Sequence, residues 1–458
     1  MGGERDVARP FQPILTAPLG ALFARTAAPI VFVMSMNGLL TVMDAVMLGL
    51  YAGPKAVAAV TAVFPVFMLL VALATLVGSG MASLLARRLG AGDLPAARNA
   101  FAAAHWLALA IGAAFILAFL AVGPALIAAI ANGAPVLETL AYRYIAIVVF
   151  FSPLQLLLAV NVDALRCEGR VGLMALASLF ISLANLAFNY ILIVELNLGV
   201  TGSALGTVLA QILALGILVV FRTVGKTNLR LADIMGKPSR LSESIRDILA
   251  LGAPQSLGFI GLALVSAAVI AALQISAGST YETLVTAYGI VTRILTFAYL
   301  PLLGMSQAVQ TILGNNHGAG LKQRANVVLR LGLAAVLVYC LGIEILLVAV
   351  PGHIASLFVA DASVIAAVSR IMPIMAALYI VSGPLMVIAG SFQAIGDAKR
   401  AALLSLAKPY LFTMPLVLAL TMLFGEGGIW FAMPAADGLL LVLTAITLRQ
   451  ATRRTITE

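Results

Sequence analysis

The chain has 458 residues, 62% of them hydrophobic and only 10% charged, with a formal net charge of +9. A soluble domain averages about 25% charged residues, so the composition excludes a soluble globular protein. The long unbroken apolar runs exclude an outer-membrane barrel as well, because barrel strands alternate apolar and polar residues.

Residues 1–18 carry Arg5 and Arg9 but no short apolar core followed by a small-residue cleavage site, so no removable signal peptide is expected. Hydrophobic runs separated by Gly, Pro and charged residues predict an all-α polytopic membrane protein. Its twelve transmembrane helices fall at 20–51, 56–87, 98–123, 138–163, 171–195, 199–222, 247–276, 283–314, 325–350, 364–394, 400–423 and 428–449. Several exceed a straight crossing, which implies tilt or protrusion into water.

The first span holds a single charge between Arg25 and Lys55, namely Asp44. An acid at that depth costs about 2.5–3.5 kcal/mol on insertion scales. A chain that keeps one normally uses it to bind a proton or an ion; a purely structural bond to a neighbouring helix is the alternative. Pro29, fifteen residues earlier, removes a helix hydrogen bond and permits a kink. That makes it a candidate conformational switch, with simple packing accommodation as the other reading. In span five Asn185 and Asn189 are four apart on one helical face, and span six adds Thr207. With Asp44 they form an oxygen-rich set suited to H⁺ or Na⁺, or else glue between helices.

The longest polar stretch, 222–247, divides six spans from six. The domain reading is a cytoplasmic N-terminal tail 1–19, an N-lobe 20–222, a cytoplasmic linker 223–246, a C-lobe 247–449 and a cytoplasmic C-terminal tail 450–458. At an offset of 225, Ala28-Pro29 recurs as Ala253-Pro254 and Val60-Thr61-Ala62 as Val285-Thr286-Ala287. Further on Gly90-Ala91-Gly92 answers Gly318-Ala319-Gly320, and Pro153 answers Pro384. An even number of helices per copy makes this a parallel repeat, with a transport site expected between or within the lobes.

The second half has no acid answering Asp44, since the offset lands on Val269. It carries Arg293, Glu344, Lys408 and Asp437 inside its spans instead, read first as buried structural pairs in which Asp437 or Glu344 neutralises Arg293, with a role in transport as the other reading.

The tail, the alternate connections and the C-terminus hold 22 of the 27 Lys and Arg residues, including Arg87, Arg88, Arg166, Arg222, Lys322 and Arg324. By the positive-inside rule both termini are cytoplasmic. The basic balance is therefore a topology and anionic-lipid signal, not a nucleic-acid site. Cys167 and Cys340 lie far apart and the three histidines lack ligand spacing, which argues against a disulfide or a metal site.

Pro29, Asp44, Gly49 and Phe64-Pro65, then GSGMASLLARRLGAGD, resemble the opening helices of the multidrug and toxic-compound extrusion (MATE) family. NLGVTGSALGTVLAQ resembles its span-six entry, residues 287–320 its DinF-like span eight, and residues 427–437 the last helix of the same branches. The resemblance implies two six-helix lobes in a V and export of amphipathic, often cationic compounds against inward H⁺ or Na⁺, with no further cofactor and no enzymatic activity. It implies an inner-membrane protein that works as a monomer. In the DinF-like pattern the cation site falls on Asp44, Asn185, Asn189 and Thr207, with the switch at Pro29. Asn189 stands where that pattern often has Asp, which leaves Asp44 as the only titratable group. The NorM-like pattern wants acids in spans seven and ten, and here span seven has none and the span-ten position falls on Ser382. The expectation is thus a proton antiporter, with a Na⁺-coupled exporter or a flippase for a lipid-linked precursor as alternatives.

Overall fold

A computed structural model describes residues 13–131, 135–224, 227–230, 232–235, 241–276, 278–359 and 361–457. Arg5 and Arg9 of the N-terminal tail and Lys226, Lys237 and Arg240 of the linker lie outside the described residues, as do the side chains of Arg453 and Arg454.

The described chain is helical throughout. We label α1 (Leu19–Met47), α2 (Phe64–Gly90), α3 (Leu94–Ala131), α4 in two pieces (Pro135–Phe150 and Ser152–Cys167), α5 (Val171–Asn189) and α6 (Gly199–Val224) in the first half. The second half has α7 (Leu241–Ser276), α8 (Tyr281–Gly318), α9 (Lys322–Ala349) and α10 in two pieces (Ala362–Ala376 and Tyr379–Ile395). It ends with α11 (Ala398–Leu406 and Met414–Phe424 around a π segment, Ala407–Thr413) and α12 (Glu426–Thr457). Ten of these are long and apolar enough to cross a membrane, and the two bent pairs bring the number to twelve.

The halves repeat one another in detail. The fourth helix of each is bent, by 48° after Phe150 and by 46° after Ala376. The fifth helix of each contains π turns, Tyr190–Glu195 following α5 and Ala407–Thr413 within α11. After the second helix of each, Gly92 and Gly320 take the same left-handed φ, 75° and 76°. One difference breaks the repeat. The predicted span 56–87 is interrupted at Val63, where a short helix Pro54–Ala62 ends and α2 begins. Pro65 in the first turn of α2 has no N–H for the preceding turn and its ring crowds that turn's carbonyl. The second half has Ile290 at the matching offset, and α8 runs unbroken for 38 residues.

Buried apolar side chains gather around α2, α3 and α4 (Met81, Phe101, Leu156) and around α7, α8 and α10 (Leu273, Val291, Met372). The halves meet along two seams. In one, Gly80 of α2 and Gly252 of α7 let backbones touch: a Cβ there would lie 2.9 Å from the Ile248 carbonyl carbon and 2.8 Å from that of Leu76. In the other, a Cβ on Gly304 of α8 would lie 3.1 Å from the Val31 backbone of α1. Polar bonds reinforce the end that carries the basic residues. Ser83 Oγ of α2 donates to the Gln393 carbonyl of α10 at 2.5 Å, and Arg166 Nη1 donates to Thr311 Oγ1 at 2.9 Å. Toward the other end Phe297, on the α8 stripe that meets Gly38 of α1, is exposed, as is Leu69 of α2. The cleft between the lobes is closed at the basic end by these polar bonds.

Candidate functional site

Asp44 lies on the face of α1 opposite Val31 and Gly38, the residues that meet α8, because thirteen and six residues of 100° each turn it away from that seam. Its carboxylate therefore points into the first lobe rather than across the cleft. There Asn189 Nδ2 donates to Asp44 Oδ1 at 2.8 Å and to Asn185 Oδ1 at 3.3 Å. Asn185 Nδ2 donates to Thr207 Oγ1 at 3.1 Å, and that hydroxyl donates to the Ser203 carbonyl at 3.2 Å. The structure thus joins all four predicted residues in one hydrogen-bonded chain across α1, α5 and α6.

Burial is uneven along that chain. Asn189 is fully buried, while Asp44, Asn185 and Thr207 are half-buried. The carbonyl oxygen Oδ1 of Asn189 has no hydrogen-bond partner. It faces Gly206, where any Cβ would collide with it, so α6 packs against the amide only because residue 206 lacks a side chain. Pro29 sits inside the continuous helix α1, and π turns follow both Asp44 and Asn189, at Leu48–Ala52 and Tyr190–Glu195. π turns inside α-helices recur at functional sites because they free backbone groups from the regular ladder.

Two groups near this chain escaped the sequence reading. Tyr144 of α4 lies within electrostatic reach of Asp44. Ser182 Oγ donates to Asn37 Oδ1 at 3.3 Å, one or two turns below. The second pair was legible, because Asn37 is seven residues before Asp44 and Ser182 three before Asn185, which keeps both on the polar stripes.

The charges of the second lobe sort differently from the expected pairs. Lys408 Nζ lies 2.5 Å from Asp437 Oδ1, which also accepts from Ser382 Oγ at 3.1 Å. Glu344 Oε2 accepts the Ile380 backbone N–H at 2.7 Å, capping the broken turn at Leu378. Arg293 is not buried and pairs with neither acid: its position on α8 points to the seam, away from α9 and α12. Both cysteines are buried and free, and no cluster of three or more His, Cys, Asp or Glu residues occurs among the described residues.

The MatE family model matches residues 29–191 and 259–418, most of both halves. The chain belongs to the MatE family. It is a multi-pass membrane transporter of MATE type rather than an enzyme. Multidrug export protein MepA of Staphylococcus aureus is 23% identical over 399 residues, 84% of this chain and 83% of that protein. A FAD transporter of Shewanella oneidensis is 24% identical over 442 residues, 93% of each. Among solved structures, an outward-facing MATE transporter of the MOP superfamily superposes with a TM-score of 0.89 at 22% identity, covering 98% of this chain and 99% of that one.

Proposed function

We propose that this MatE transporter exports amphipathic solutes in exchange for protons, with Asp44 as the proton-binding group. The observation that carries the reading is that the polar chain of the first lobe contains one carboxylate and that this carboxylate is held by a single amide donor, Asn189 Nδ2. A carboxylate accepts that N–H; a neutral carboxylic acid instead has a proton to donate. The unpartnered Asn189 Oδ1 is the acceptor for it, reached by a half-turn of the amide. Proton binding thereby reverses the Asp44–Asn189 bond and shifts α5 against Gly206, where a Cβ would not fit. α1 responds about Pro29, where the helix ladder already lacks a bond.

In this reading the basic end faces the cytoplasm of a bacterial inner membrane, following the Lys and Arg distribution. The cleft is then open to the outside, the state in which Asp44 loads its proton and solute leaves. Coupling requires the two carrier states to differ in affinity for both ligands.

Na⁺ coupling is the second reading. It is favoured by the same orphaned Asn189 Oδ1, which with Asp44, Asn185 Oδ1 and Thr207 Oγ1 would offer Na⁺ an all-oxygen shell. Everted vesicles, whose outer face is the cytoplasmic one, separate the two by their uptake of rhodamine 123. Uptake driven by ΔpH and lost in Asp44→Asn supports the proton reading; uptake driven only by a Na⁺ gradient overturns it.

A further inference from the structure

The sequence places five charges in the apolar interiors of the spans: Asp44, Arg293, Glu344, Lys408 and Asp437. Four of them have protein partners, an amide, a backbone N–H or each other. Arg293 is exposed and has no ion pair or hydrogen bond among the described residues. A guanidinium in the apolar slab costs about 2.5–3.5 kcal/mol on insertion scales unless it meets water or an anion.

Its position says which. Arg293, Phe297, Leu300 and Gly304 are spaced four, three and four apart, a single stripe of α8. Gly304 and Leu300 of that stripe touch Val31 and Gly38 of α1, so the stripe faces the opposite lobe. Four residues beyond Phe297 the seam has opened, and Arg293 is presented to the cleft. Twelve residues separate it from Tyr281 at the helix start, about 18 Å along the axis, near the middle of a hydrocarbon core of about 30 Å. The α1 stripe that runs from Val31, Ser35 and Gly38 on toward the level of Arg293 carries no acid, and Asp44, at that level, points away into the first lobe. Phe297, 40% exposed one turn away, supplies apolar surface beside the charge.

We propose that Arg293 anchors the anionic group of transported solutes, so that the solutes carried include amphiphiles bearing a carboxylate, phosphate or sulfonate. Arg presents a planar fork of donors that matches such groups bidentately, and Phe297 takes the apolar body. The anchor sits on the second lobe and the proton site on the first, so the two ligands act on different walls of the cleft. This rests on the exporter reading for its transport role, but not for binding.

Two dyes with the same xanthene ring and opposite charge test it: carboxyfluorescein, anionic, and rhodamine 123, cationic. Binding is measured to the full chain in phosphatidylcholine nanodiscs, for wild type, Arg293→Gln and Arg293→Lys. Wild type binds carboxyfluorescein; Arg293→Gln weakens this at least tenfold and Arg293→Lys by a few-fold. Displacement of the dye by phosphatidylglycerol added to the disc identifies a lipid headgroup as the anion's source; displacement by soluble phosphate esters alone identifies a free solute. Equal carboxyfluorescein affinity in wild type and Arg293→Gln overturns the anchor, and the exporter reading survives that result if ΔpH still drives rhodamine 123. Loss of binding in Arg293→Gln together with no gradient-driven transport of either dye leaves the anchor standing and removes the exporter.

Discussion

Arg166 of the first lobe donates to the Thr311 hydroxyl of the second at 2.9 Å and to the Gln307 carbonyl at 3.2 Å, while Asp163 holds the same guanidinium at 2.7 Å. The carboxylate aims the guanidinium across the seam, so one side chain ties the lobes at the basic end. Any transporter that opens at this end must break that bond. Hydrogen bonds to charged groups contribute about 1.5–3 kcal/mol, so Thr311→Val shifts the population several-fold or more toward separated lobes. Spin labels at Ala91 and Leu321, both exposed beyond the seam, report it as a longer inter-label distance; an unchanged distribution contradicts the role.

The Lys408–Asp437 pair ties α11 to α12 inside the second lobe. Breaking a buried pair leaves an uncompensated charge, at about 3–5 kcal/mol; with the Lys408 side chain 31% exposed, the lower end or less applies. Lys408→Met lowers the melting temperature in detergent, and adding Asp437→Asn restores part of the loss. Additive losses in the double variant would show that the two groups do not act as a pair.

Arg222 belongs to the basic residues whose distribution sets orientation, yet it is fully buried. Its guanidinium bonds Asn161 Oδ1 at 2.8 Å, meets Glu168 at 3.4 Å and lies 4.7 Å over the Phe101 ring, pinning the Leu229 loop onto α6. Glu168, between α4 and α5, has its pKa raised by burial, with Arg222 opposing. A raised folded-state pKa means the native state holds its proton more tightly than the unfolded chain. The stabilisation is present below the ordinary Glu value of 4.5 and is lost as pH rises through the folded value. The stability of wild type relative to Glu168→Gln therefore falls as pH is raised from 4.5 toward neutral. A difference that grows over that range contradicts the assignment.

A carboxylate returned to position 189 tests the reason for choosing protons. Asn189→Asp places two acids at the end of the Asp44 chain, where like charges disfavour each other's ionisation unless a cation sits between them. Transport by this variant gains a dependence on Na⁺ that the wild type lacks. Unaltered ion dependence, measured as solute flux under matched H⁺ and Na⁺ gradients, would contradict it.

Much of this was legible in the sequence. Span count, the parallel repeat and the Asp44, Asn185, Asn189 and Thr207 set follow from apolar run length and from spacings of three, four and seven on helix faces. The break at Val63 was marked by Pro65 but hidden inside a continuous apolar run. The π turns carry no composition signal, since they depend on how α1, α5 and α11 pack against their neighbours. The pairing of Lys408 with Asp437 rather than Arg293 with Asp437 depends on helix rotation, which periodicity weakly fixes in helices apolar on nearly every face. Exposure of Arg293 follows from the opening of the lobes, a tertiary feature with no local sequence mark.

On the proton reading, Asp44 binds the proton that drives export. Proteoliposomes enclosing a pH-sensitive dye and this transporter, with rhodamine 123 on the loading side and no Na⁺ present, test it most directly. Solute movement accompanied by opposite proton movement in wild type, and neither in folded Asp44→Asn, is the predicted result. Proton-coupled movement that persists in Asp44→Asn would contradict the account.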